Sequence, residues 1–219
     1  MKRRILLCGI AACIPLIALG QTMNEKTLYS AAEQDDVATV KTLVSKGASI
    51  DARDANGRTA LLVAIQRNRV DAARALIEAG ADVNAKDNIS DSPYLYAGAR
   101  GHIEILKMTL EHGADLKSTN RYGGTALIPA SERGHVEAVS MLIEAGVYVD
   151  HVNKLGWTAL LEAIILADGG PRHVEIVSRL INAGADVNLA DKDGVTPLRH
   201  ARKNGYVQMV SLLEKAGAR

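Results

Sequence analysis

The chain has 219 residues, enough for one domain or two small ones with a buried core. Aromatic residues make up 3% and phenylalanine is absent, so the apolar content comes mainly from Ala, Leu, Ile and Val, which suits closely packed short helices better than a broad sheet sandwich. Its 26 basic side chains nearly match its 25 acidic ones, which leaves no basic field to hold nucleic acid.

The first segment stands apart from the rest. Lys2, Arg3 and Arg4 form a basic start, Ile5 to Gly20 an apolar run, and Ala18 and Gly20 place small residues just ahead of Gln21. This predicts a secretory signal peptide over residues 1–20, removed to leave a mature chain of 21–219. The run is about 16 residues, short for a stable membrane span. The competing reading is an uncleaved anchor. Both cysteines, Cys8 and Cys13, lie in this segment, so the mature chain has no disulfide and no thiol. Removing Lys2, Arg3 and Arg4 leaves 23 basic against 25 acidic side chains. The mature chain is expected in the periplasm or outside the cell, with no membrane span, as a monomer.

After residue 25 the sequence repeats. Gly47, Gly80, Gly113, Gly146, Gly184 and Gly217 each end a helical pattern, at intervals of 33, 33, 33, 38 and 33. Two further series, Ala31 to Ala201 and Thr59, Ser92, Thr125, Thr158 and Thr196, slip by five in the same place. The units run approximately 24–53, 54–86, 87–119, 120–152, 153–190 and 191–219, the fifth with a five-residue insertion near 167–171. Unit two shows the logic. Asp54 to Gly57 makes a turn, and Thr59 can cap the next helix. Leu61, Ala64 and Ile65 form one apolar face, and Val70, Ala73, Leu76 and Ile77 form a second. Gly80 then ends that second helix in a left-handed conformation. One such unit cannot bury its own face, whereas six stacked units can. The end units carry polar faces suited to caps, Glu33 to Asp36 in the first and Gln208, Ser211 and Lys215 in the last.

These units resemble ankyrin repeats over most of the chain. Asp193 to Ala201 reads DGVTPLRHA, GH stands at 101–102 and 134–135, and GADVN at 80–84 and 184–188. The resemblance implies an all-α solenoid of about six stacked helix-turn-helix units with β-hairpin-like loops, and a protein-binding role. The chain departs from the family pattern in having Pro after the cap residue only at Pro93 and Pro197. The family's histidine in that segment is replaced by Leu62, Leu95, Ile128, Leu161 and Arg199.

The resemblance places partners on the first helices and hairpin tips. There, units three to five depart from a bland polar pattern. Five of the seven Tyr and Trp residues fall between 94 and 157. Tyr94 occupies a core leucine slot, and Tyr148 lies at a turn where packing between units is expected. Arg121, Tyr122, Leu155 and Trp157 flank the tip glycines Gly123 and Gly156 and are candidate anchors for a partner, since Tyr, Trp and Arg give large contact area at low entropic cost. Glu162 takes a slot held elsewhere by Val63, Tyr96 and Pro129. It is either buried and paired, Arg133 being the candidate partner, or faces the groove with Asp168 as a polar contact for a basic group. The insertion itself is either a functional loop or a tolerated lengthening.

Catalysis finds little support. His102, His135 and His173 share one repeated, structural slot, and no nucleophile elbow, phosphate loop or metal-ligand cluster is present, so neither a cofactor nor a metal is expected. The chain reads as a non-enzymatic module for a protein partner in the bacterial cell envelope. The alternatives are an inhibitor or immunity protein against an envelope hydrolase or toxin, and a small-ligand or enzymatic site at Glu162, Asp168 and Arg100.

Overall fold

The computed structural model describes the backbone of residues 16–219 and the side chains of 23–219. The segment expected to be a signal peptide lies outside the described side chains. Only its end, from Leu16, enters the described backbone, as the start of the first helix. No helix of the described residues is long and apolar enough to cross a membrane.

Twelve helices form six antiparallel pairs among the described residues. They are α1 (Leu16–Gln34) with α2 (Val37–Ser45), α3 (Ala60–Gln66) with α4 (Val70–Glu78), and α5 (Pro93–Arg100) with α6 (Ile103–Glu111). Then follow α7 (Leu127–Glu132) with α8 (Val136–Glu144), α9 (Ala159–Ile165) with α10 (Pro171–Asn182), and α11 (Pro197–Lys203) with α12 (Val207–Lys215). The first helices stack on one another in one layer and the second helices in another. One continuous apolar core runs between the layers, through Leu28, Leu61, Leu76, Tyr94, Leu106, Leu127, Leu142, Leu160, Ile176 and Leu213. Fully burying such a side chain contributes about 1.5–3 kcal/mol, and each draws on the neighbouring unit for its burial. Tyr94 is wholly buried, as its leucine slot predicts.

Helix starts follow the predicted caps in four units. Thr59, Ser92, Thr158 and Thr196 accept the backbone N–H three residues on. Unit four corrects the series. Thr125 makes no such bond, its hydroxyl is buried without a partner, and α7 starts one residue late behind Ala126. The cause is Pro129. Elsewhere the residue at that slot closes the first turn through its N–H, as Val63 does onto Thr59, Tyr96 onto Ser92 and Glu162 onto Thr158. Proline has no N–H to give. The helix ends follow the glycine series. Gly80 sits at φ 92°, its N–H donates to the Ile77 carbonyl, and the Ala81 N–H reaches back to Leu76 at 3.0 Å.

The insertion does two things. α10 has 12 residues where α8 has nine, so three of the five added residues wind into an extra turn headed by Pro171. The other two lengthen the loop before it.

Candidate functional site

The hairpin-like loops form no strands among the described residues. Each tip is closed by one Asx side chain instead. Asp54, Asp87, Asn120, Asn153 and Asp191 each accept two backbone N–H groups, from the residues two and four positions on. This clamp projects the residue two after the Asx outward. In units two and six that residue is polar, Asn56 and Asp193. In units three, four and five it is Ile89, Tyr122 and Leu155, exposed at 52%, 53% and 49%. Three large apolar side chains thus stand at one slot of three consecutive units.

Beside this stripe the first helices of units three to five leave an open groove of about 370 Å3. Its walls include Arg121, Tyr122, Leu155 and Glu162 from the predicted set, and also Tyr96 and Arg100. The Arg121 guanidinium lies 4.8 Å from the centre of the Tyr122 ring and 3.6 Å from an oxygen of Asp91. The Arg100 guanidinium lies 5.3 Å from the centre of the Tyr96 ring and makes no ion pair among the described residues. Burial pushes the Asp91 carboxyl above its ordinary range, with Arg121 opposing.

Glu162 sits in the groove wall at 5% exposure. Of the two alternatives for Glu162, pairing with Arg133 is not the one found, for no ion pair joins them among the described residues. Its hydrogen-bond partner is Asn153, whose Nδ2 donates to Glu162 Oε1 at 2.8 Å. Arg133 instead donates to the Ala99 carbonyl at 2.8 Å and lies 4.0 Å from Glu132. Desolvation, then the nearby Glu132 charge, push the Glu162 carboxyl from 4.5 up to about 7, against the Asn153 bond and Arg133.

Trp157 and Asp168 do not join this groove. Trp157 is half-buried, its N–H held by the Asn153 clamp. Asp168 is tied up within the insertion, where the Gly170 N–H and then His173 hold its carboxyl below the usual range. His173 Nδ1 meets Asp168 at 3.1 Å and its Nε2 donates to the Glu132 carbonyl at 2.9 Å. From the other side Tyr206 Oη donates to the Ala167 carbonyl at 2.5 Å, and Asn204 Nδ2 to Ile164 at 3.2 Å. The insertion is therefore pinned to units four and six. The repeated histidines are structural in the same way, for His135 packs under Gly101 and His173 under Gly134.

Tyr148 corrects a further expectation. It is 68% exposed and does not pack between units. Its slot is that of Asp82, Asp115 and Asp186, which all point to solvent. Sequence reasoning also missed Ile89 and Asn153. Both were within reach, since Ile89 shares the Tyr122 slot at one repeat interval and Asn153 shares the tip slot of Asp54.

Comparison with known proteins agrees with this architecture. A family model described as ankyrin repeats (3 copies) matches residues 6–87, 94–191 and 149–219. No curated protein matches the sequence. Among solved structures, an ankyrin repeat domain from Acinetobacter baumannii AYE is 64% identical, with 89% of this chain and 100% of that one covered and a TM-score of 0.87. The ankyrin repeat protein EF0377 is 42% identical over 86% of this chain and 96% of its own, with a TM-score of 0.83. The human ASB11 ankyrin repeat domain is 29% identical over 88% and 84%, with a TM-score of 0.74. Stacked helical pairs, Asx-clamped tips and these matches together establish that the chain belongs to the ankyrin repeat family.

Proposed function

We propose that this chain is an exported interaction module of the bacterial cell envelope, and that it presents the groove and tip stripe of units three to five to a protein partner. Ankyrin repeat domains generally serve as protein–protein interaction modules and are typically non-enzymatic scaffolds. The observation that carries the placement is the stripe of Ile89, Tyr122 and Leu155, three exposed apolar side chains aligned beside the groove. The clamped tips hold them without ordering on binding, so little entropy is lost when a partner docks. Arg121, stacked on Tyr122, stiffens the central anchor.

The test is affinity capture from a cell-envelope extract, with the full chain as bait beside a Tyr122→Ala/Leu155→Ala variant. Both side chains are exposed, so the variant is expected to fold. It is expected to lose the captured protein, each anchor contributing about 2 kcal/mol. Equal capture by both baits moves the contact surface off these tips.

A further inference from the structure

The clamps that close the tips differ in charge. Units two, three and six use Asp54, Asp87 and Asp191, whereas units four and five use Asn120 and Asn153. The amide oxygen accepts the same two backbone N–H groups as a carboxylate and brings no negative charge. The residue after each asparagine is a cation, Arg121 and Lys154, and both are exposed. Unit six adds a third, for the exposed Lys192 side chain lies back against Gly156 of the unit-five tip.

The two lysines are held by backbone rather than by acids. The Lys154 N–H donates to the Tyr122 carbonyl at 2.9 Å, its side chain lies against Gly123, and its Nζ donates to the Arg121 carbonyl at 2.9 Å. Lys192 Nζ donates in the same way to the Lys154 carbonyl. An ammonium has three hydrogens, so each lysine keeps two for a group outside the chain. Neither lysine makes an ion pair among the described residues, and Arg121 meets Asp91 at 3.6 Å. Asp193 takes the slot after Leu155 in the apolar stripe and ends it. The positive excess is local to these tips. The chain as a whole has 26 basic against 25 acidic side chains, so no general basic field draws it to an anionic membrane.

The repeat thus sets out two rows along the tips. Ile89, Tyr122 and Leu155 form the apolar one, and Arg121, Lys154 and Lys192, one slot earlier, form the cationic one. An extended chain turns alternate side chains to opposite sides, so one set can cover the apolar row while the other meets the cations. Resting on the reading of these tips as a protein-binding surface, we propose that they receive an extended acidic segment of the partner, in which carboxylate side chains alternate with large apolar ones. A basic segment would set like charge against three cations, and a neutral one would gain nothing from them.

The probes are capped eight-residue peptides of alternating glutamate and leucine, glutamate and alanine, or lysine and leucine, titrated into the full chain by calorimetry. The glutamate–leucine peptide is expected to bind at least about tenfold more tightly than either of the others. Its affinity is expected to fall about tenfold between about 50 mM and about 500 mM salt. Lys154→Gln/Lys192→Gln is expected to lose most of that salt dependence, and Lys154→Glu/Lys192→Glu to turn the preference to the lysine–leucine peptide. Both side chains are exposed, and circular dichroism checks that the variants fold. Equal binding of the glutamate–leucine and lysine–leucine peptides, no binding of any peptide, or a preference unchanged by the charge reversal overturns the proposal. So does binding to phosphatidylserine vesicles that the charge reversal abolishes, for the patch is then a lipid surface. Should the proposal fail while envelope capture still depends on Tyr122 and Leu155, the protein-binding reading stands with a partner of other chemistry. Should capture fail while the glutamate–leucine peptide binds with the expected preference, the tips remain an acidic-peptide site and the envelope setting falls.

Discussion

Asn153 Nδ2 donates to Glu162 Oε1 at 2.8 Å, and at the same two positions of the next unit Asp191 Oδ2 accepts from His200 Nε2 at 2.7 Å. The repeat keeps one bond between tip and first helix and exchanges donor for acceptor. Asn153→Asp sets two carboxylates against each other, which is expected to lower stability by about 2 kcal/mol at about pH 8. Asn153→Asp/Glu162→His rebuilds the unit-six pair and is expected to recover most of that loss. Urea unfolding of the two single variants and the double variant closes the cycle.

Glu162 also makes stability depend on pH. Its carboxyl titrates at 4.5 in the unfolded chain and at about 7 in the folded one, so between these values the folded state holds more protons. Its favourable contribution is complete below the lower value and is lost as pH rises through the upper. The loss amounts to about 3 kcal/mol. Glu162→Gln is expected to flatten the slope and to be the more stable chain at about pH 8, with little difference at about pH 4. Urea midpoints across the range check it.

Ser90 is held at φ 66°, where the equivalent tip residues are Gly57, Gly123, Gly156 and Gly194. A side chain in that conformation is strained, and Ser90→Gly is expected to stabilise the chain by about 1 kcal/mol, read as a raised thermal midpoint.

Gly169→Ala is expected to act in the opposite direction. The residue sits at φ 70°, and a Cβ there would lie 2.4 Å from Cδ1 of the Tyr206 ring. Backbone strain and the displaced ring are expected to cost about 2 kcal/mol, measured by urea unfolding.

The orphaned Thr125 hydroxyl supplies a paired test. Thr125→Val removes a buried polar atom that has no partner and is expected to be neutral or stabilising by about 1 kcal/mol. The same change at Thr59 removes a working cap and is expected to cost about 1 kcal/mol. Calorimetry on both variants separates the two cases.

The helical pairs were legible because each depends on neighbours in sequence. Leu61, Ala64 and Ile65 mark a buried face by spacing alone, and Gly80 marks its end. The failures share a different origin. At Thr125 the cap residue is right and a proline four residues on prevents the turn from closing. At Tyr148 the position in the repeat was read correctly, but spacing does not state which way a turn residue points. Glu162 was read as buried or groove-facing, and it is both. A buried charge asks for an arginine, whereas the structure gives this carboxyl an amide donor, Asn153 Nδ2, and burial raises its pKa instead. Ile89 escaped notice because a lone isoleucine carries no signal until Tyr122 and Leu155 are set beside it.

The insertion that breaks the 33-residue period has a mechanical consequence. Repeat arrays ordinarily fray from their ends one unit at a time. Here the terminal unit cannot peel away without severing Tyr206 from Ala167 and Asn204 from Ile164, and unit five cannot follow without releasing His173 from Glu132. The extra loop itself supplies the tie from Tyr206 to Ala167, added to the contacts that each unit makes with its neighbour, so melting that begins at the C-terminus has to break it before unit six is released.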